Sequence, residues 1–167
     1  MRDLYIMVGI PGSGKTKYSK ELDGIRCSFR EARKRLYGDP DVGGDSFEVY
    51  QEFENQIRDA LCTNSNVIID GQGLTIESRK AFVKKYKKHF DRIIAVYMDT
   101  AVNVCKLRNH KRKHKVCNHT VDLSYDVLIP PSLAEGFDKI IVVKTQFEGN
   151  SQVYEILPNQ NDKPSEE

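Results

Sequence analysis

The chain has 167 residues, enough for one domain with a sizeable core, and 39% of them are hydrophobic against 30% charged. That balance describes a globular chain and excludes a disordered or membrane-embedded one, because the longest apolar runs fall far short of the roughly 20 residues a membrane helix needs. Net charge is only +2, which excludes a uniformly basic nucleic-acid binder, although "KLRNHKRKHK" (106–115) gathers six Lys or Arg in ten positions.

In chain order, "LYIMVGI" reads as a buried strand, and "SGKTKYSKELD" as a helix with Tyr18 and Leu22 one turn apart. "GIRCSF" is a second, shorter strand and "REARKRLYG" a helix closed by Gly38. After the Gly- and Asp-rich loop "DPDVGGD", the spacing of Phe47, Val49, Tyr50, Phe53, Ile57 and Leu61 predicts a long amphipathic helix from Ser46. "NVIIDG" is an almost continuously apolar third strand, the pattern of a strand covered on both faces. A helix over "TIESRKAFVKKYKKHF" follows, with Thr75 as its N-cap, then a fourth strand "RIIAVYMD". "TAVNVCKLRNHKRK" predicts a helix running into the basic stretch, and "VDLSYDVL" another. "DKIIVV" is a fifth strand and "SQVYEIL" an edge strand.

Strands alternating with helices imply an α/β fold: a central parallel sheet of about five strands with helices on both faces. One domain is expected over 1–157, with a polar, disordered tail at 158–167. The N-terminal "MRDLYIMVGIPGSGK" runs straight into a functional-looking loop, as in a chain without a signal peptide. Cys27, Cys62, Cys105 and Cys117 have no disulfide-scaffold rhythm, so reduced thiols and a cytoplasmic location are the expectation.

"GIPGSGKT" (9–16) matches G-x-x-x-x-G-K-[ST], with a strand before it and a helix after it. Each residue type has a task in gripping a triphosphate. Gly9, Gly12 and Gly14, with Ser13 between, let backbone N–H groups turn inward toward phosphate oxygens. The following helix offers its positive end to the same phosphates. Lys15 bridges the β- and γ-phosphates of ATP, and the Thr16 hydroxyl holds Mg²⁺. Asp70, ending the strand "NVIID", is placed to orient the metal or its water.

Taken together, these residues resemble the polynucleotide-kinase-like branch of the P-loop kinases, the group of small kinases that includes the zeta toxins. The likeness spans residue 3 to about 145. "VIIDGQGLTIESR" resembles the family's strand, acidic residue and downstream arginine, here Asp70 and Arg79. "CKLRNHKR" resembles its lid helix, where Arg108 and Arg112 would reach the transferring phosphates. "IPPSLAEGFDKIIVV" resembles its closing segment. The resemblance implies transfer of the ATP γ-phosphate to a 5′-hydroxyl, commonly at a nucleic-acid end.

The second strand of that family is followed by an aspartate acting as general base, with an arginine three residues on. In "CSFREAR" the arginine is Arg33, but the aspartate position holds Arg30. Arginine stays protonated and cannot accept the acceptor's proton. Three explanations stand open. Glu31 takes the role; or the acceptor is already an anion, such as a nucleoside monophosphate, held by Arg30 and Arg33 on one helix face; or the chain binds ATP in a regulatory role with impaired transfer.

Two further readings concern the basic stretch. Arg108 and Arg112, one helical turn apart, would supply charge at the γ-phosphate, and Lys111, Lys113 and Lys115 could meet a nucleic-acid backbone. Cys105, His110, His114, Cys117 and His119 raise zinc, but their spacing matches no common structural pattern, and a mobile lid explains the composition more cheaply. The aromatic stripe Phe47, Tyr50 and Phe53 reads as core rather than as a base-stacking platform.

Overall fold

The structure, a computed structural model, describes residues 1–159. The expected tail lies, from residue 160 onward, outside the described residues. Six strands form one sheet in the order β2-β3-β1-β4-β5-β6. They are β1 (Asp3–Val8), β2 (Ile25–Ser28), β3 (Val67–Asp70), β4 (Arg92–Thr100), β5 (Lys139–Phe147) and β6 (Asn150–Ile156). The first five are parallel, and β6 turns back antiparallel along β5. Every residue of β3 is buried, as its unbroken apolar run predicts. Every residue of β6 is exposed, which suits an edge.

The helices are α1 (Lys15–Glu21), α2 (Phe29–Tyr37), α3 (Ser46–Leu61), α4 (Ile76–Tyr86), α5 (Val102–His110) and α6 (Asn118–Val127). One sheet face, through Leu4, Ile6, Ile69, Ile93 and Ile140, packs against Ala32 of α2, Phe53 and Ile57 of α3, and Val83 and Tyr86 of α4. The other face, through Met7, Ile68, Val96 and Val143, packs against Tyr18 of α1 and Leu22 just beyond it. Helices therefore cover both faces. α5 and α6 sit with Ile10 in a smaller cluster through Cys105 and Val121.

Local chemistry sets the helix ends. Thr75 caps α4 by accepting from the Ser78 amide, Ser28 caps α2 by accepting from that of Glu31, and Asp45 caps α3 by accepting from those of Phe47 and Glu48. Gly38 ends α2 in the left-handed region (φ 76°), with its N–H donated to the Lys34 carbonyl.

Three local expectations are corrected. The helix read as running into the basic stretch stops at His110, where the Asn109 side chain takes over: its amide donates to the Val116 carbonyl and accepts from the Val116 N–H. Residues 110–116 thus close into a loop pinned at its base, and Arg112 lies beyond the helix. Read as a solvated basic helix, "REARKRLYG" would pack Phe29, Ala32 and Leu36 inward, but Leu36 is exposed, leaving Ala32 and Phe29 as the inward residues of α2. Of the aromatic stripe on α3, Phe53 is buried and stacks on Phe29, whereas Phe47 and Tyr50 are exposed.

Candidate active site

The parallel strands deliver their C-terminal ends to one edge of the sheet, and β1 lies between β3 and β4, where the winding changes direction. The loop 9–14 leaves β1 at that point and feeds α1. Gly12 (φ 84°) and Gly14 (φ 98°) adopt left-handed backbone, and a Cβ on Gly12 would fall 2.4 Å from the Cys105 carbonyl oxygen of α5. At Gly9 a Cβ would meet the Ser13 hydroxyl at 2.6 Å. Gly12 is fixed by close approach and by dihedral angle, Gly14 by its dihedral angle, and Gly9 by close approach.

The loop is held from three sides. The Gly9 N–H donates to the Gln72 carbonyl; the Thr100 hydroxyl donates to the Ser13 carbonyl at 3.0 Å, and Arg108 Nη1 to the same oxygen at 3.2 Å. Arg108 Nε also pairs with Glu148 at 2.9 Å, so one guanidinium ties the loop to the turn between β5 and β6. Lys15 Nζ donates to the Ile10 carbonyl at 2.9 Å, curling back over the loop. Burial pushes the Lys15 ammonium down to about 8, against the attraction of Asp70 and with the help of Arg112.

Thr16 follows Lys15 at the start of α1. Asp70 ends β3 on the neighbouring strand, nearly buried, and its Oδ2 receives Arg26 Nη1 at 2.9 Å and the Ser19 hydroxyl at 3.3 Å. Sequence reasoning passed over Arg26. Its only signal was a charged residue inside a four-residue strand, which must find a partner at the sheet's edge.

Gly12, Ser13, Gly14, Thr16, Arg108 and Arg112 line one cleft of about 510 Å³, walled on its far side by Val143, Thr145, Ser151 and Val153 of the β5–β6 hairpin. The loop and both arginines predicted for the lid therefore converge on this cleft, while Lys15 stays folded over the loop on the Ile10 carbonyl. The Ser13 hydroxyl is buried with no hydrogen-bond partner among the described residues, a spare polar group in the loop. Together with the glycine cradle, it fits a phosphate chain. A hydroxyl and a carboxylate on adjoining elements are hard oxygen donors of the kind Mg²⁺ takes.

The acceptor-side residues are arranged differently from the expectation. Arg30 and Arg33 do share a face of α2, but the loop 39–44 folds back onto it. Arg30 pairs with Asp41, and Arg33 Nε donates to the Gly43 carbonyl at 3.4 Å. The Glu31 carboxylate lies 3.7 Å from Arg35 one turn along α2. Arg79 is fully buried in a two-pronged pair with Glu135 (2.7 and 2.8 Å) and donates to the Gly73 and Leu74 carbonyls. It ties α4 to the segment that follows β3 and to Glu135. Among the described residues no three His, Cys, Asp or Glu side chains form a metal cluster, and no helix is long and apolar enough to cross a membrane.

Comparison with known proteins bears on the family and the fold. The family model described as an AAA domain matches residues 4–128. A protein of Acanthamoeba polyphaga mimivirus, provisionally named a bifunctional polynucleotide phosphatase/kinase, is 26% identical over 156 residues; these cover 88% of this chain and 34% of that protein. The chain thus spans about a third of that relative's length. Among solved structures, one chain of a Pnkp1/Rnl/Hen1 complex superposes with a TM-score of 0.54 at 24% identity, covering 70% of this chain and 41% of that one. A chain of the PezAT toxin–antitoxin system of Streptococcus pneumoniae superposes with a TM-score of 0.66 at 15% identity, covering 93% and 71%. At these identities the two structures share the fold.

Proposed function

Because the chain belongs to the AAA domain family of P-loop proteins, we propose that it transfers the γ-phosphate of ATP to the 5′-hydroxyl of a polynucleotide. The observation that carries the phosphotransfer reading is the convergence of Gly12, Ser13, Gly14, Thr16, Arg108 and Arg112 on one cleft, with the Lys15 ammonium near enough to Asp70 and Arg112 to feel both charges. The acceptor reading is supported by the resemblance of the four sequence segments and by the name of the mimivirus relative.

Loop amides and the start of α1 bind the phosphates, and Lys15 leaves the Ile10 carbonyl to share the β- and γ-phosphate charge. Thr16 and Asp70 would hold Mg²⁺, which would neutralise phosphate charge; Arg26 and Ser19 donate to Asp70 Oδ2 and so orient that carboxylate. Arg108, fixed by the Ser13 carbonyl and Glu148, and Arg112 from the pinned lid loop stabilise charge on the transferring group. Arg33 positions the acceptor. Glu31 is the candidate general base, reached by exchanging its Arg35 contact for the hydroxyl.

A second reading has one specific observation behind it: arginine, not a carboxylate, opens α2 at position 30. It favours an acceptor that is already anionic, a nucleoside monophosphate, which needs no base. Labelled γ-phosphate transfer to 5′-hydroxyl oligonucleotides and to the nucleoside monophosphates, with Lys15→Ala as the control, separates the two. Labelled oligonucleotide supports the first reading, label on monophosphates alone replaces it with the second, and ATP binding without transfer to either leaves a regulatory ATP-binding protein. Unchanged oligonucleotide labelling in Glu31→Gln removes Glu31 from the mechanism.

A further inference from the structure

Asp41 is an acid in the middle of a basic neighbourhood, and no step above uses it. It comes from the loop between α2 and α3, yet only 16% of its side chain is exposed, because two other elements close on it. Arg30 at the start of α2 takes one carboxylate oxygen, Oδ1. His114 of the lid loop takes the other, with Nε2 3.2 Å from Oδ2. Arg30 and the nearby charges of His114 and Lys113 hold the Asp41 carboxyl below its usual range. α2 starts at the C-terminal end of β2, on the same sheet edge as the phosphate loop, so this three-way contact bridges the lid to the acceptor side of the site.

We infer that Arg30 and His114 form an anion subsite for a phosphate group of the acceptor, and that Asp41 holds the place of that phosphate in the free protein. This rests on the phosphotransfer reading above and specifies its acceptor. A carboxylate offering one oxygen to a guanidinium and the other to an imidazole reproduces two of the oxygens of a phosphate. A nucleoside monophosphate brings more charge than the carboxylate and a further oxygen for Lys113, whereas a phosphodiester matches the carboxylate in charge and in free oxygens and displaces it with the help of the rest of the bound acceptor. Departure of Asp41 is cheap: Val42, Gly43, Gly44 and Asp45 are exposed, and a Cβ at Gly43 would meet nothing within 4 Å, so no core packing is lost when the segment swings away. Its other ties are the Arg33 contact to Gly43, the packing of Gly44 against the half-exposed Tyr37 ring, and the Tyr37 hydroxyl, which accepts from the Asp45 N–H. The lid side stays put, because Asn109 pins its base. The inference also gives a reason for arginine at position 30: it reads the acceptor's phosphate where an acid would repel it.

Binding measured without ATP, by fluorescence anisotropy of a labelled oligonucleotide bearing a 5′-hydroxyl, tests the subsite independently of any transfer. Asp41→Asn is expected to tighten binding about fivefold, the scale of one exposed ion pair released. Asp39→Asn removes the same charge from the same loop, keeps an acceptor for the Asp41 N–H, and is expected to change little. Replacing the phosphodiester nearest the 5′ end by a neutral methylphosphonate is expected to abolish the gain if the phosphate belongs to a polynucleotide. A gain seen with a nucleoside monophosphate as competitor, and not with the oligonucleotide, assigns the subsite to the smaller acceptor. Equal gains for Asp39→Asn and Asp41→Asn, or no gain for Asp41→Asn with either acceptor, overturn the subsite. So does loss of transfer in Asp41→Asn at unchanged affinity, which would make Asp41 a base. Absence of transfer in the unaltered protein would count against the phosphotransfer reading alone, since affinity is read without it.

Discussion

At the scale of single residues, Lys15 carries a measurable signature. Desolvation lowers its ammonium from 10.5 to about 8, so the free protein loses this charge just above neutrality. A triphosphate needs the charged form and returns the proton affinity that burial removed. ATP affinity is therefore expected to be flat up to about pH 8 and to fall above it, by at most about tenfold per pH unit. Lys15→Arg, which stays protonated, is expected to lose that dependence while binding less well through its altered geometry. Calorimetric titration with ATP at pH 7, 8 and 9.5 measures both. The same shift has the opposite sign for folding. Between about pH 8 and 10.5 the unfolded chain holds more protons than the folded one at this position, so the Lys15 contribution to stability rises with pH across that window.

At the scale of elements, the pieces around the site are braced by polar contacts that sequence motifs do not announce. Arg79 of α4 and Glu135 of the turn Leu133–Glu135 form a pair with no solvent access on the arginine and almost none on the glutamate. Glu135 also accepts from the Ser132 N–H, so one carboxylate serves the cap and the salt bridge. Such a pair adds little over an apolar replacement, but breaking it leaves a buried charge. Glu135→Gln is expected to cost about 3–5 kcal/mol in urea unfolding, whereas Arg79→Met with Glu135→Leu recovers most of the loss. If the single variant unfolds like the unaltered protein, the pair is not buried as described. Arg26 on β2, paired with Asp70, acts similarly from a strand that carries no motif, and Asn109, within the segment that resembles the lid helix, pins the loop that follows it.

At the scale of the whole molecule, the phosphate loop, α1, Arg108 and Arg112 and the β5–β6 hairpin meet on one cleft, so a nucleotide there links segments separated by most of the chain. Mg²⁺ and ATP at about 100 times their Kd are expected to stabilise the fold by about 2.7 kcal/mol, read as a shift of the thermal midpoint, and Lys15→Ala to lose most of it. Much of this organisation is local and therefore legible in the sequence. The loop 9–16 needs glycines at fixed spacing; β3 is a continuous apolar run because helices cover both sides of the sheet; Thr75 and Gly38 mark helix ends through their own hydrogen bonds. The chain by itself determined the alternation of strands and helices, the phosphate loop, and the placing of Asp70 beside it. Tertiary structure alone decided that the basic stretch leaves the helix at His110, that Arg79 is a brace, that Arg26 takes one oxygen of Asp70, and that Asp41 covers Arg30. The physical reason is distance along the chain: dihedral preferences and periodic burial act within a few residues, whereas a charge chooses its partner from whatever the fold brings within reach.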